Sequence, residues 1–442
     1  APLLAGLGEA LYRHSRFTDA RLAWREAVEA FHQVGDADRA AAAVARQARA
    51  AWYENDATGA LQICLDGLAR IAPEPATPGL AALLHETGRA CLFNAKDMNQ
   101  PPVEAGDYCR RGLALAERFG LIEIQAECLT TLALTLGQGT AEAQVLLKQA
   151  IDLTEPIGLY SAASRAYFNL AGGELDMGHD VRAGIAHMRH AGELYRRTGQ
   201  HIQALDVAVL VADYTLTLGD FGDVDQTLRE IRREAQALPQ AEYLDLAAQT
   251  LEADLLGYRG EWERALERLS EIHERSPLHA NRSPYLKTQR LHLSRAIAKM
   301  ELGERSTAIQ EFEAVLADES PDSHDRVAPL CLLALLRSGT GEFEAAERHL
   351  AEARRSAGDR PKLLAPLFLH WATGELHFRR GQRDDALRHY EEALSTTQQF
   401  PVHWLEARLR EEYATVLLAR ANPGDRERAA AQLAQAQRMF EA

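Results

Sequence analysis

The sequence predicts an all-α fold, an α-solenoid of about eleven helical hairpins, and three patterns carry that expectation. First, a small residue followed by a bulky or apolar one at +4 and a small or apolar one at +7 returns eleven times. It marks Ala20, Ala60, Ala105, Ala143, Ala183, Val224, Ala265, Ala308, Ala346, Ala386 and Ala429, in steps of 38 to 45 residues. A fixed period of this size belongs to stacked supersecondary units and not to one globular core. Second, a further small residue stands twelve positions upstream in most units: Gly8, Ala48, Thr131, Ala171, Ala212, Ala253, Ala296, Ala334 and Gly374. Third, glycine precedes the marker by five in seven units, at Gly178, Gly219, Gly260, Gly303, Gly341, Gly381 and Gly424.

Each pattern has a physical reading. The +4 partners are Trp24, Cys64, Cys109, Leu147, His187, Leu228, Leu269, Phe312, Leu350, Tyr390 and Leu433. They share a helix face with their markers because 3.6 residues make a turn. Small residues at the marker and at −12 let two antiparallel helices approach until bulky neighbours interlock. The glycine between them supplies the left-handed residue after the first helix at little steric cost. Units end on Gly35, Gly120, Gly158 and Gly199 in the first half and on Pro239, Pro277, Pro321, Pro361 and Pro401 in the second. Both residue types stop helices. The third unit lacks a small residue at −12 and carries about five extra residues within "NAKDMNQPPVEAGDY" (94–108), where Pro101 and Pro102 forbid helix and set the next helix start.

The first unit, with "GEFEAAERHLAEA" (341–353) and "GQRDDALRHYEEAL" (381–394), resembles the tetratricopeptide repeat, and the resemblance covers essentially the whole chain. A tetratricopeptide unit has about 34 residues, whereas these run to about 40. That length, the "VGD", "FGL" and "IGL" punctuation and the closing "AQLAQAQRMFEA" resemble the sensor regions of STAND signalling ATPases, among them maltotriose-responsive activators and LuxR-type relatives. The resemblance implies a right-handed superhelix running through residues 1–442 as a single continuous domain. Its concave wall would come mainly from the first helix of each hairpin. It further implies a cytoplasmic bacterial regulator whose ATPase lies elsewhere. The chain starts and stops inside helices of the pattern, so the expectation is an excised region of a larger protein.

Composition excludes several classes. With 49 Lys and Arg against 64 Asp and Glu, the net charge is −15, and no clustered basic run offers the counterion release that direct nucleic-acid binding needs. No apolar run approaches the roughly 18 residues that would span a bilayer. Cys64, Cys91, Cys109, Cys128 and Cys331 show no paired spacing and read as buried reduced thiols. No Gly-rich phosphate loop, H-E-x-x-H or G-x-S-x-G occurs, so no catalysis and no cofactor are expected in this chain. His187 and His190 have a spacing that metal ligands could use, but they occupy the +4 and +7 packing slots as numbered from Ala183, so no metal is expected.

The tetratricopeptide resemblance assigns concave-wall slots to Tyr12, Arg49, Trp52, Tyr53, His85, Arg89, Phe93, Arg165, Phe168 and Asn169, and further along to Asp206, Asp213, Asp254, Tyr258, Arg290, Trp371, Glu375, Phe378 and Arg379. Aromatics beside Arg and His are the mixture that stacks a ring or sugar and grips a carboxylate or phosphate. The candidate ligand- or partner-binding residues are therefore Arg49, Trp52, Tyr53, His85, Arg89, Phe93, Arg165 and Asn169. The partner is expected to be a small-molecule inducer, a peptide or a protein. The other readings are a constitutive protein-interaction scaffold and the recognition arm of a caspase-like protease. Leu433, Met439 and Phe440 have no following helix to cover them, which leaves dimerisation through an array end open.

Overall fold

The structure is a computed structural model and describes residues 1–70, 76–95, 102–137, 139–177, 180–222, 224–238, 241–275, 288–317, 324–358, 364–399 and 402–441. Among these residues there are 22 α-helices and no strand. They pair into eleven hairpins: α1 (Pro2–Arg13) with α2 (Phe17–Gln33), α3 (Ala37–Tyr53) with α4 (Ala57–Arg70), α5 (Pro78–Phe93) with α6 (Val103–Phe119) and α7 (Ile122–Thr135) with α8 (Ala141–Thr154). They continue as α9 (Tyr160–Met177) with α10 (Val181–Arg197), α11 (His201–Thr217) with α12 (Val224–Ala237), α13 (Glu242–Tyr258) with α14 (Trp262–Arg275) and α15 (Thr288–Glu301) with α16 (Arg305–Ala317). The last three are α17 (Val327–Gly339) with α18 (Phe343–Ala357), α19 (Ala365–Arg379) with α20 (Arg383–Gln399) and α21 (His403–Arg420) with α22 (Asp425–Glu441). The chain is thus an all-α solenoid of tetratricopeptide-like hairpins.

Local chemistry starts and stops these helices. Asp36, Thr77 and Thr140 accept the backbone N–H three residues on, from Arg39, Leu80 and Ala143, so each ties down one N–H that the first turn leaves without a helical partner. Pro2 and Pro78 open α1 and α5, where the missing N–H costs nothing. At the hairpin turns Gly219, Gly260, Gly303, Gly341, Gly381 and Gly424 all have φ between +78° and +85°. The unit ends Gly35, Gly120, Gly158 and Gly199 are left-handed as well. The first two hairpin turns use Ser15 (φ +57°) and Asn55 (φ +65°) instead, and these the glycine pattern did not mark. Gly178 and the five unit-end prolines lie outside the described residues.

Packing follows the small and bulky pattern with departures in the fifth and third hairpins and in the last, where the +4 residue Leu433 is exposed. Ten of the eleven markers are at most 2% exposed. A Cβ on Gly8 would come within 2.7 Å of the Trp24 indole, so the small residue at 8 is what lets the large one at 24 seat. In the fifth hairpin the expected marker Ala183 is only half-buried, and the chain is set one residue later. Gly184 is buried against Leu175, while Met188 at +4 and Ala191 at +7 are buried. His187 and His190 are thereby turned out of the packing slots. In the third hairpin the inserted residues push the small position back to Gly88, whose Cβ would meet Cys109 Sγ at 2.4 Å. Of that insertion, 96–101, which includes Pro101, lies outside the described residues, and Pro102 stands as the residue before α6.

The chain divides into two compact units, the first holding Ala1–Asp176 and Arg182–Ala208 and the second most of the chain from Val209 onward. In the first, Ala27, Val28, Phe31, Val44, Cys64 and Leu83 belong to a core shared by α2 to α5. In the second, Leu330, Cys331, Ala346, Leu350 and Leu376 join α17 to α19. All five cysteines are free thiols, and burial pushes Cys109 up to about 12 and the other four upward, which makes them poor nucleophiles. Among the described residues no helix is long and apolar enough to cross a membrane.

Candidate functional site

The first unit carries an open cavity of about 1000 Å³. Its wall is drawn mostly from the first helices of the hairpins, with Tyr12 on α1, Arg46, Arg49 and Tyr53 on α3, His85 and Glu86 on α5, Glu127 on α7, Arg165 on α9 and Gln203 on α11. Repeating hairpins place these side chains at successive heights on one wall, which is how residues more than a hundred positions apart come to face one space.

Arg49, Glu86, Glu127 and Arg165 of this wall join one charge network with Arg89 behind them. Arg49 Nε donates to Glu86 Oε2 at 2.8 Å, and Arg89 Nε and Nη2 both donate to Glu86 Oε1, at 2.9 and 2.5 Å. Arg49 also reaches Glu127 Oε2 at 3.4 Å. Arg165 donates to the same Oε2 at 2.8 Å and to Thr131 Oγ1 at 2.9 Å. Three guanidiniums therefore meet two carboxylates, which leaves the network one positive charge in excess. Burial opposes ionisation of both acids, yet the guanidiniums outweigh it: Arg165 and Arg49 hold Glu127 down to about 2, and Arg49 and Arg89 depress Glu86 further.

His85 completes the network as a neutral ring. Burial is the main cause that lowers it, Glu127 opposes, and Arg49 and Arg165 add to the lowering, to about 3. The Thr131 hydroxyl donates its single proton to the Glu127 carbonyl at 3.0 Å. His85 Nε2 lies 3.1 Å from the same hydroxyl oxygen, which ties the ring to the network.

The eight candidate residues separate into three groups. Arg49, Tyr53, His85 and Arg165 line the cavity. Trp52, Arg89 and Phe93 do not, and their chemistry is satisfied internally. The Arg89 guanidinium lies over Trp52 at 4.6 Å and Phe93 at 5.5 Å, the two rings are 5.1 Å apart, and Arg89 is 2% exposed. Asn169 donates to the Arg165 carbonyl of its own helix at 2.7 Å and does not line the cavity. Tyr53 stacks on Phe17 at 4.7 Å and meets Tyr12 edge-on at 5.7 Å. Glu86 and Glu127, which organise the wall, were not among the candidates. One signal was available for Glu86, three residues before Arg89 on the same helix. Glu127 required the stacking register that the insertion in the third hairpin obscures.

Elsewhere in the unit His187 Nδ1 pairs with Glu174 at 2.8 Å and His190 Nε2 with Glu155 at 2.7 Å, both against the Tyr167 ring. Among the described residues no group of three His, Cys, Asp or Glu is placed to hold a metal ion.

No family model matches the sequence, and no curated protein sequence matches it. Among solved structures, the human IFIT1 dimer with m7Gppp-AAAA is 14% identical over 90% of each chain with a TM-score of 0.47. Yeast Tom70 is 12% identical over 97% of this chain and 98% of its own, with a TM-score of 0.39. The APC/C hetero-tetramer Cut9–Hcn1 supplies another, 14% identical over 99% and 95% with a TM-score of 0.39. At these values the likeness goes no further than the helical-repeat architecture, and the description of the fold rests on the hairpins of this chain.

Proposed function

We propose that this chain is a recognition module without catalysis of its own, the sensing part of a STAND-type regulator. It takes a small-molecule inducer or a short peptide segment into the cavity of its first unit. The observation that carries this reading is the wall itself. Half-buried guanidiniums, paired carboxylates, a neutral imidazole and two tyrosines converge on a space large enough for a ligand of nucleotide or short-peptide size, which is the composition of a specific pocket. Pre-paired charges cost little to organise on binding. The excess positive charge of the network, with Arg46 beside it, favours a ligand with a carboxylate or phosphate, and Tyr12 and Tyr53 add aromatic surface for a ring or sugar. Binding would act on a downstream module through a preference for one arrangement of the hairpins.

Thermal denaturation of the chain against nucleotides, sugars, amino acids and peptides tests this. Arg46 lines the cavity, is exposed and makes no ion pair among the described residues, so Arg46→Glu leaves the fold intact. A compound that raises the melting temperature of the parent by several degrees is expected to lose most of that effect in Arg46→Glu. A shift of equal size in both places the ligand elsewhere, and no shift from any compound favours the constitutive scaffold.

A further inference from the structure

In a solenoid each hairpin touches the hairpins before and after it. The second unit departs from this rule, because its last hairpin meets three that lie far back in the chain. At the turn between α11 and α12, a Cβ on Gly219 would stand 3.0 Å from the Cβ of His403. Trp404 stacks on Tyr258 at the end of α13, with ring centres 5.1 Å apart and 27° between planes, and Tyr258 in turn stacks with Phe221 at 6.1 Å. Arg408 Nη1 donates to both carboxylate oxygens of Glu301 at the end of α15, across 107 residues of sequence.

These contacts leave α21 with two jobs. Trp404 and Arg408 are one turn apart and share a face. Leu405, Leu409 and Leu417 are buried in the unit's core. The Arg408 side chain is steadied by its own hairpin and the one before it: Nε donates to Glu412 Oε1 at 3.2 Å, and the guanidinium lies 5.9 Å from the Trp371 ring. Trp371 Nε1 and the Tyr390 hydroxyl hold Glu412 from the other side, at 2.6 and 3.0 Å. Glu301 meets a side chain that is already placed. Against this stands one cost, since the buried Trp404 indole N–H has no hydrogen-bond partner among the described residues. A closure made of one stack, one ion pair and one backbone approach, with an unmet donor inside it, is of a kind that can open as a unit.

We propose that the His403–Trp404–Arg408 face of α21 is a clasp that closes hairpins six to eleven on themselves. It covers a docking wall made by Phe221, Tyr258 and Glu301, which fits a partner helix bearing an aromatic and a basic side chain one turn apart. The clasp is independent of the ligand cavity in the first unit, and failure of either leaves the other standing. It also bounds how this unit changes curvature: small rotations cannot add up along hairpins that are tied end to end, so the change is a discrete release.

Charge reversal tests it on the full chain. Hydrogen exchange at 403–410 and 255–260 is expected to speed up at least ten-fold in Arg408→Glu and in Glu301→Arg, and to return to the parental rate when both are present. Single variants that exchange like the parent, or a double variant that stays as fast as the singles, overturn the clasp. A labelled peptide of sequence 402–413 is then titrated against the parent and Arg408→Glu. At least ten-fold tighter binding to the opened variant is expected, and equal or absent binding overturns the docking wall.

Discussion

Arg89 shows how a side chain can have the chemistry of a ligand contact and be committed elsewhere. It sits between two aromatic faces and a carboxylate, almost fully buried, and its removal leaves Glu86 with one partner where it had two. Breaking a buried pair from one side costs about 3–5 kcal/mol. Arg89→Met is therefore expected to lower stability by about 3 kcal/mol in chemical denaturation while leaving ligand-dependent melting shifts intact. His85 makes a second prediction, in pH. Its folded pKa lies far below the ordinary imidazole value of about 6.5, so the stability it lends is complete above that value and is lost as pH falls toward about 3. At pH 5 the loss amounts to about 2 kcal/mol. Stability measured at pH 7 and pH 5 should fall by about that much more in the parent than in His85→Gln, which has no proton to gain. At this scale the residue types were legible in the sequence, and their commitments were not. Arg49 and Arg89 occupy equivalent slots one repeat apart, but only the folded stack shows that Trp52 and Phe93 close over one of them and leave the other on the cavity.

The helical hairpin is where the sequence was most legible, for a physical reason. Stacking hairpins demands small residues where backbones cross and bulky ones beside them, and those demands repeat every 40 residues or so, so each unit confirms the next. Where the period slips by one, in the fifth hairpin, the pattern gives way to packing: Gly184, and not Ala183, meets Leu175. The left-handed turns follow the same logic. Gly260 has φ +83° and open space around its missing Cβ, so Gly260→Ala is expected to cost about 1 kcal/mol from backbone strain alone. Ser15→Gly, at φ +57°, relieves strain but frees the unfolded chain, and the net change should stay below about 0.5 kcal/mol. Thermal melting of the two variants beside the parent measures both. Ser15 and Asn55 escaped the sequence reading because a turn that can use glycine does not require it.

At the scale of the whole molecule, the repeat period forecasts neighbour contacts and is silent about distant ones. The return of α21 to Tyr258 and Glu301 has no signature in spacing, because Trp404 and Arg408 fit a hairpin pattern equally well with or without partners more than a hundred residues away. The cavity of the first unit is likewise a product of stacking and not of any motif. Its wall collects residues from eight helices, none of which would suggest a pocket alone. Ligand recognition is proposed for this cavity, and hydrogen exchange across the chain, with and without the compound that most raises its melting temperature, reads it out residue by residue. Slowed exchange concentrated in α3, α5 and α7, around Arg49, His85 and Glu127, is the predicted result. Protection confined to α17–α22, with α3 and α5 unchanged, would contradict it.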